Sequence, residues 1–288
     1  MTKKHKIGLV VLYAMGAAFL FAWLGVATKI TLREIPSQMV VFFRQAFSML
    51  IMLPLITRDL TSGKGLKTAR LHLHILRAVT ALGAMYCLFY ALRFLPVVDA
   101  VVLSYTRPLF IPFVVWLWMG KRLAPQVWIG LLVGFIGVIC VVRPSGDVLN
   151  LAALAALGSG LFGALAFTAT RKLAKRESST AIVFYNLLFT LPVSALALPG
   201  HWVWPSSSMW LLLGGIGLLA TFYQIFIAVA YRYGQTSKVA SVLYSAVGFA
   251  LILDWAIWGK MIGLLSLLGI GLISLGCLIV VRDKKVSS

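Results

Sequence analysis

Long apolar segments, separated by short polar ones, run through the whole chain. Each segment holds about 20 residues, enough for an α-helix to cross the hydrocarbon core of a bilayer. Pro, Gly and Ser lie between the segments, where turns are expected. The pattern predicts an all-α integral membrane protein with ten transmembrane helices. The segments are residues 7–28, 37–57, 73–92, 97–119, 126–142, 148–170, 180–198, 208–231, 237–259 and 264–281.

The composition agrees with a membrane protein and leaves no room for a folded soluble domain. Of the 288 residues, 61% are hydrophobic and 11% are charged, against about 45–50% and about 25% in soluble domains. The three cysteines lie inside apolar segments, where free Cys behaves as a small apolar side chain. His72 and His74 have no third ligand nearby in the sequence. We therefore expect no metal and no cofactor.

The excess of basic residues has a topological explanation. The formal net charge of +19 would suggest a nucleic-acid partner in a polar protein. Here, with the N-terminus inside, 18 of the 26 Lys and Arg residues fall on the cytoplasmic side and five on the other side. Because cytoplasmic loops are enriched in basic residues, both termini are predicted to be cytoplasmic. We expect a multi-pass protein of a bacterial inner membrane, with membrane lipid as a partner and no nucleic acid.

The second half of the chain repeats the first. A shift of 139 residues aligns Arg, Tyr, Trp and Gly residues without a gap, and a shift of 142 aligns the N-terminal parts of the two halves. We interpret the chain as two five-helix repeats, residues 1–145 and 146–288. An odd number of spans inverts the second repeat in the membrane, and many secondary transporters with such repeats bind their substrate near the midplane. Aligned pairs include Arg93 with Arg232, Tyr105 with Tyr244, Trp116 with Trp255, and Gly137 with Gly276.

Three motifs in the third and fourth spans resemble the EamA-like drug/metabolite transporters. They run from Arg77 to Gly83, from Tyr90 to Pro96 and from Arg107 to Phe110. The chain looks most like the branch that contains S-adenosylmethionine, riboflavin and acyl-carnitine carriers. The resemblance implies two five-helix EamA repeats and a central cavity lined mainly by helices 1, 3, 4, 6, 8 and 9. The chain departs from the family's common Gly-Glu after helices 4 and 9, because it has Lys121 and Lys260 there.

Arg107 is the first candidate for solute binding. It lies deep in the fourth span, next to Pro108, which interrupts a helix and frees the carbonyl of Ser104. Broken helices are tolerated in a membrane where they line a cavity, and a guanidinium group matches a carboxylate or phosphate. The alternative is a structural pairing with Asp99 or with a helix-end carbonyl.

Aromatic residues related by the repeat are the next candidates. Tyr105 and Trp116 are eleven residues apart, about three helical turns, so they share one face of an unbroken helix, as do Tyr244 and Trp255. Such faces could sandwich a planar or cationic solute. Alternatively, the Trp residues form an interfacial belt and the Tyr residues pack in the core. Arg107 points away from Tyr105 unless the proline break reorients one of them.

Two carboxylates are candidate coupling groups. Asp254 lies well inside a span, where acidic groups often carry protons or cations. Its alternative role is a pairing with Lys260 or with an arginine. Asp99 lies at the mouth of the fourth span, and its alternative role is structural.

Other polar and aromatic residues inside the spans are candidates for solute contact, with packing or helix-to-helix hydrogen bonding as the alternative. Arg44 and Arg77 are expected to reach an interface or a backbone carbonyl, with solute contact as the alternative. The remaining candidates are Trp23, Tyr86, Tyr90, Tyr223, Gln224 and Asn186.

The sequence predicts a secondary transporter that moves a small organic metabolite by alternating access. Amino acids, their derivatives and nucleoside-containing cofactors suit a site that combines aromatic rings with an arginine. A membrane-embedded enzyme, a lipid scramblase and a passive channel are the alternatives. The sequence contains no phosphate-binding loop, nucleophile elbow or metalloprotease motif, so we expect no enzymatic activity. A homodimer is compatible with the sequence.

Overall fold

The computed structural model of the protein describes residues 3–61, 66, 68–119, 125–142, 151–233, 239, 242–243, 245–259 and 263–282. The regular structure in these residues is helical. The helices are α1 Lys3–Thr31, α2 Ser37–Thr61, α3 Leu71–Phe94, α4 Val97–Ser104, α5 Arg107–Met119, α6 Pro125–Val142, α7 Leu151–Ala174, α8 Ser179–Leu196, α9 Ser207–Tyr233, α10 Ser245–Trp258 and α11 Leu264–Arg282.

The helices lie where the hydrophobic pattern predicts the spans, with bounds that differ by a few residues. In the described residues, α1, α2, α3, α7, α8 and α9 are each long and apolar enough to cross a membrane. The fourth span consists of α4 and α5 together, and α6, α10 and α11 correspond to the fifth, ninth and tenth. Most of the predicted ninth span before residue 245 lies outside the described residues. The predicted all-α membrane architecture is confirmed.

The fourth span is interrupted at Tyr105. α4 ends at Ser104, Tyr105 has φ −82° and ψ 6°, and α5 begins at Arg107. The cause is Pro108, because its nitrogen carries no hydrogen for the carbonyl of Ser104 and its ring restricts the residue before it. The break that the sequence predicts is therefore present in the middle of the span.

The helices pack in pairs that combine the two halves of the chain. α1 packs along α9, α3 along α7, α6 along α11, α2 on α8, and α4 on α10. Buried apolar side chains from α1, α3, α4, α7 and α9 form the main core. Each pair joins a helix of the first half to a helix of the second. A cavity between these pairs is therefore lined by both halves of the chain.

Glycines bring the backbones of α6 and α11 into direct contact. A Cβ atom on Gly276 would lie 2.5 Å from the carbonyl oxygen of Gly130 and 2.5 Å from the nitrogen of Gly134. One on Gly137 would lie 2.6 Å from the nitrogen of Ile273. Backbone atoms cannot move away as a flexible side chain can, so both positions require glycine for this packing.

Contacts between connecting segments tie the two halves together at one end of the molecule. His74 Nε2 lies 2.7 Å from Glu177 Oε2, and the hydroxyl of Thr68 donates to Glu177 Oε1 over 2.6 Å. The hydroxyl of Tyr185 donates to the carbonyl of Leu66 over 2.9 Å. These bonds join the connection between α2 and α3, and the start of α3, to the connection between α7 and α8 and to α8.

Candidate solute-binding cavity

A cavity lies between the two halves, with walls from α1, α2, α3, α4, α5, α7, α8 and α9. It measures about 940 Å³, including the part that is open to solvent. Its walls are mostly apolar and aromatic, but Arg44, Arg77 and Arg107 all line it. Such walls suit an organic molecule with an apolar part and a charged part.

Arg107 enters the cavity from the start of α5, and its guanidinium group is held among aromatic rings. Its Cζ atom lies 5.3 Å from the ring centre of Phe21, 5.0 Å from that of Tyr105 and 4.9 Å from that of Phe167, close enough for cation–π attraction. Its Nη1 donates to the Tyr223 hydroxyl over 3.4 Å, and its Nη2 donates to the Ser104 hydroxyl over 3.5 Å. Both bonds are long, and Nε has no partner in the described chain.

The proline break brings Arg107 and Tyr105 to the same side. On an unbroken helix the two side chains would point apart, whereas here the guanidinium group lies over the Tyr105 ring. The break also removes the face that Tyr105 was predicted to share with Trp116. Tyr105 is buried and Trp116 is 47% exposed, so only the tyrosine belongs to the surroundings of the cavity.

Small residues on α7 make room for this arrangement. A Cβ atom on Gly163 would lie 2.5 Å from Nε of Arg107, and one on Gly160 would lie 2.6 Å from Oγ1 of Thr106. Because neither glycine carries a side chain, α7 can approach the broken segment and the base of the Arg107 side chain directly. The position of Arg107 in the cavity thus depends on the second half of the chain.

Arg77 has the most complete set of partners among the three arginines. Its Nε donates to Oγ1 of Thr170 over 2.8 Å, its Nη1 to the carbonyl of Ile182 over 2.7 Å, and its Nη2 to Oε1 of Gln224 over 3.3 Å. The backbone carbonyl expected as a partner for Arg77 is confirmed. Since these partners lie on α7, α8 and α9, one side chain of α3 joins three helices of the second half.

Arg44, on α2, has much weaker partners. Its Nη1 donates to the sulfur of Met85, and thioether sulfur is a weak acceptor. Its Nε is buried without a partner in the described residues. The guanidinium group of Arg44 therefore retains the capacity to donate to a molecule in the cavity.

Side-chain amides continue the polar surface of the cavity, and we call Gln45, Asn186 and Gln224 the amide wall. Gln45 Nε2 donates to Oγ1 of Thr190 over 2.8 Å, and Asn186 Nδ2 donates to Gln224 Oε1 over 3.2 Å. Gln45 Oε1, Asn186 Oδ1 and Gln224 Nε2 have no partner within the described chain. The amide wall thus has two oxygen atoms that can accept hydrogen bonds and one NH2 group that can donate them.

Unpartnered polar atoms are concentrated in this cavity. Besides the three atoms of the amide wall and the Nε atoms of Arg44 and Arg107, the hydroxyls of Thr28 and Ser159 are buried without a partner in the part of the chain described. All of these residues line the cavity. Buried polar groups are normally hydrogen-bonded, so these atoms give the cavity a capacity for hydrogen bonding that the described part of the protein does not use.

In the lining that the structure describes, no acidic side chain is present. Glu177 pairs with His74, and the buried carboxylate of Asp254 accepts a 2.6 Å hydrogen bond from the backbone nitrogen of Val98. Asp99 lies in the first turn of α4. Both predicted coupling residues therefore lie at the N-terminal end of α4, where negative charge stabilises a helix, and outside the described cavity lining.

Other predicted site residues fall into three groups. Tyr223 and Gln224 line the cavity, and Tyr86 is half-buried with a hydroxyl that has no partner in the described residues. Trp23, Tyr90 and Trp255 are exposed, as expected for side chains that face lipid. Tyr244, Lys121 and Lys260 lie outside the described residues. The structure thus brings together Arg107, Tyr105, Tyr223 and Gln224, and it leaves the tryptophans on the outside.

Several cavity residues were not singled out from the sequence. Nothing in the sequence marked four of them as cavity residues, because apolar and small polar residues occur on every face of these helices: Phe21, Phe167, Gln45 and Ser159. The sequence did mark Arg44 and Arg77, because with Arg107 they are the arginines that lie inside predicted spans. Across the described residues, no three His, Cys, Asp or Glu side chains are grouped as a metal would require.

Known proteins resemble the chain along its whole length. The EamA-like transporter family matches residues 8–143 and 150–282. The chain is 30% identical over 279 residues to the pseudopaline exporter CntI of Pseudomonas aeruginosa, covering 96% of each chain. It is 28% identical to a riboflavin transporter of Vibrio cholerae, covering 78% of this chain and 76% of that one. It is also 28% identical to an S-adenosylmethionine uptake transporter of Rickettsia prowazekii, covering 77% and 74%.

A solved crystal structure shares the fold, with a TM-score of 0.68, 21% sequence identity and coverage of 94% of this chain and 95% of that chain. The relatives are transporters rather than enzymes. The resemblance predicted from the motifs in the third and fourth spans is therefore confirmed. With family matches to both halves and membrane-spanning helices throughout the described chain, the protein is a multi-pass membrane transporter that belongs to the EamA-like transporter family.

Proposed function

We propose that the cavity is the substrate site of this secondary transporter, and that the substrate is a small organic metabolite with an anionic group and a flat or apolar part. The main supporting observation is that seven unpartnered polar atoms, including Nε of Arg107, belong to residues that line one cavity between the two halves. The anionic group would bind Arg107, whose planar fork matches a carboxylate or phosphate. The flat part would lie against the rings of Phe21 and Phe167.

The named relatives agree with the flat part of the proposed substrate. Riboflavin and S-adenosylmethionine are both organic molecules with a flat ring system, and proteins similar to this chain are named for carrying them. Amino acids, amino-acid derivatives and nucleoside-containing cofactors are therefore the substrate classes that we propose for this chain.

We also propose that residues 1–145 and 146–288 are inverted repeats that move against each other during transport. Helix packing supports this proposal. If each helix is replaced by its counterpart in the other half, the contact of α1 with α9 becomes the contact of α7 with α3, and both contacts are present. The pairings of α6 with α11, α2 with α8 and α4 with α10 are unchanged by the exchange. A site at the meeting point of such repeats can open to either side in turn.

The proposed orientation has both termini in the cytoplasm of a bacterial cell, with the protein in the inner membrane. The distribution of Lys and Arg carries this proposal. In this orientation the contact between His74 and Glu177 lies toward the cytoplasm. The exposed apolar surface, including Trp116 and Trp255, would contact membrane lipid.

A binding experiment tests the proposed site. The thermal unfolding midpoint is measured in detergent for wild type, Arg107→Gln and Arg93→Gln, with Arg93 an exposed arginine of α3 that serves as control. The panel contains amino acids, organic acids, nucleosides, S-adenosylmethionine, riboflavin and carnitine esters. A ligand at 100 times its Kd stabilises the state it binds by about 2.7 kcal/mol. We expect one or more compounds to stabilise wild type and Arg93→Gln but not Arg107→Gln.

Two results would contradict the proposal. If no compound in the panel stabilises wild type, the cavity is not a site for these metabolites. If a compound crosses proteoliposome membranes at a rate that never saturates, the protein acts as a channel rather than as a carrier.

A further inference from the structure

We propose that Arg44 forms a second anion-binding subsite in the cavity and that the substrate carries two anionic groups. This inference rests on the proposed function, because it assigns a substrate class to the same cavity. Its basis is that two guanidinium groups, one on α2 and one on α5, have inadequate partners within the protein.

The balance of charge in the cavity requires anions. The described lining has three arginines and no acidic side chain, while Glu177 and Asp254 have partners elsewhere. A guanidinium group stays protonated in proteins, and a charge buried in a membrane protein without a counter-charge is costly. The anionic groups of a solute are counter-charges that the cavity can admit.

One of the three arginines does not need such a group. Arg77 donates to Thr170, to Gln224 and to the backbone carbonyl of Ile182, so its donors are directed at the protein. We assign it a positioning role, in which it joins α3 to the second half. Each guanidinium nitrogen of Arg77 thus has a neutral partner in the protein, which leaves two of the three arginines to bind anionic groups of the solute.

Unlike Arg77, both Arg44 and Arg107 have weak hydrogen-bond partners within the protein. In the described chain the partner of Arg44 is the sulfur of Met85, and a carboxylate or phosphate oxygen is a much stronger acceptor for guanidinium than a thioether. The partners of Arg107 are aromatic ring faces and two hydroxyls at 3.4 and 3.5 Å. Each of the two has a buried Nε without a partner in the described chain. Because the two arginines lie on different helices, we assign the two anionic groups of the solute to separate subsites.

The test uses two probes that differ by one carboxymethyl group and therefore by one carboxylate. The first is 3-phenylpropanoate, and the second is benzylsuccinate, which carries the additional carboxymethyl group on the carbon next to the first carboxylate. Apparent Kd values are obtained from thermal unfolding titrations of the full-length protein in detergent, for wild type, Arg44→Gln and the control Arg93→Gln. We expect wild type and Arg93→Gln to bind benzylsuccinate at least about tenfold tighter, as one added charge-assisted hydrogen bond allows. Arg44→Gln should reduce this ratio to below about twofold, because it weakens binding of benzylsuccinate more than binding of 3-phenylpropanoate.

Several outcomes would overturn the second subsite. They are equal affinity of wild type for both probes, absence of benzylsuccinate binding, a ratio that Arg44→Gln does not change, and an equal loss for both probes in that variant. If Arg44→Gln does not fold, the ratio measured with wild type decides. The proposed function fails in a different way, namely if Arg107→Gln binds 3-phenylpropanoate as tightly as wild type does.

Discussion

His74 and Glu177 join the two halves of the transporter: imidazole Nε2 and carboxylate Oε2 lie 2.7 Å apart although 103 residues separate them in the sequence. The His74 side chain is completely buried, and that of Glu177 is only 10% exposed. Because the pair lies between α3 and the connection that follows α7, it holds the halves together at the end of the molecule that we propose faces the cytoplasm.

Removing this carboxylate should loosen that end. Glu177→Ala leaves His74 buried without its acceptor and leaves Thr68 without its partner, and an unsatisfied buried group costs about 1–3 kcal/mol. We expect faster amide hydrogen exchange in residues 71–76 and 178–182, measured by mass spectrometry. Arg176→Ala, a change at the neighbouring exposed position, is the control. Equal exchange rates in wild type and Glu177→Ala would show that the pair does not hold the two segments together.

Gly163→Ala should displace Arg107. The added methyl group would lie 2.5 Å from Nε and 2.8 Å from Cδ of Arg107, so the guanidinium group must leave the aromatic rings. Overpacking of this kind costs about 1–3 kcal/mol, and we expect at least a tenfold loss of affinity for a compound that stabilises wild type. Gly158→Ala is the matched control on the same helix, because its Cβ atom would meet only Cys87 Sγ at 3.7 Å. Unchanged affinity in Gly163→Ala would show that Arg107 does not need this space.

Two glycines of α11 should respond in opposite ways to the same substitution. Gly276→Ala places a methyl group 2.5 Å from backbone atoms of α6, whereas Gly271→Ala meets nothing within 4 Å. We expect Gly276→Ala to lower stability by about 1–3 kcal/mol and Gly271→Ala to leave it unchanged or raise it by up to about 1 kcal/mol through helix propensity. The thermal unfolding midpoint in detergent measures both. Equal midpoints for the two variants would contradict the close contact between α6 and α11.

The sequence predicted well which residues lie inside the membrane spans. It predicted poorly which face of each helix points to the protein interior and which to lipid. Hydropathy located the spans, and Pro108 located the break next to Arg107, because both depend only on position along the chain. Lipid is as apolar as the protein interior, so the pattern does not tell an outward face from an inward one. Trp23 and Trp255 were thus predicted to bind solute although they are exposed.

The arginines show the other limit of the sequence. Arg44 and Arg77 were expected to reach an interface or a carbonyl, because their position near span ends gave no information on their neighbours. Arg77 finds its partners on α7, α8 and α9, about 90 to 150 residues away in the sequence. Only the packing of the two halves reveals that these arginines line one cavity.

Asp254→Asn separates the coupling role from the structural role of this residue. Pro96 begins α4 without a side-chain acceptor for the first backbone N–H groups, and the Asp254 carboxylate supplies one to Val98 over 2.6 Å. Asparagine keeps an oxygen acceptor but removes the charge, so we expect a loss of at most about 1 kcal/mol. Alanine removes both, and we expect a loss of about 1–2 kcal/mol, as for other lost caps.

Because the carboxylate lies at the end of α4 rather than in the described cavity lining, we expect Asp254→Asn to retain transport that responds to a pH gradient in proteoliposomes. If Asp254→Asn loses that response but keeps substrate exchange and stability, Asp254 is instead the coupling group. Asp99→Asn is the control, because it shows whether the loss of any carboxylate at this end of α4 has the same effect.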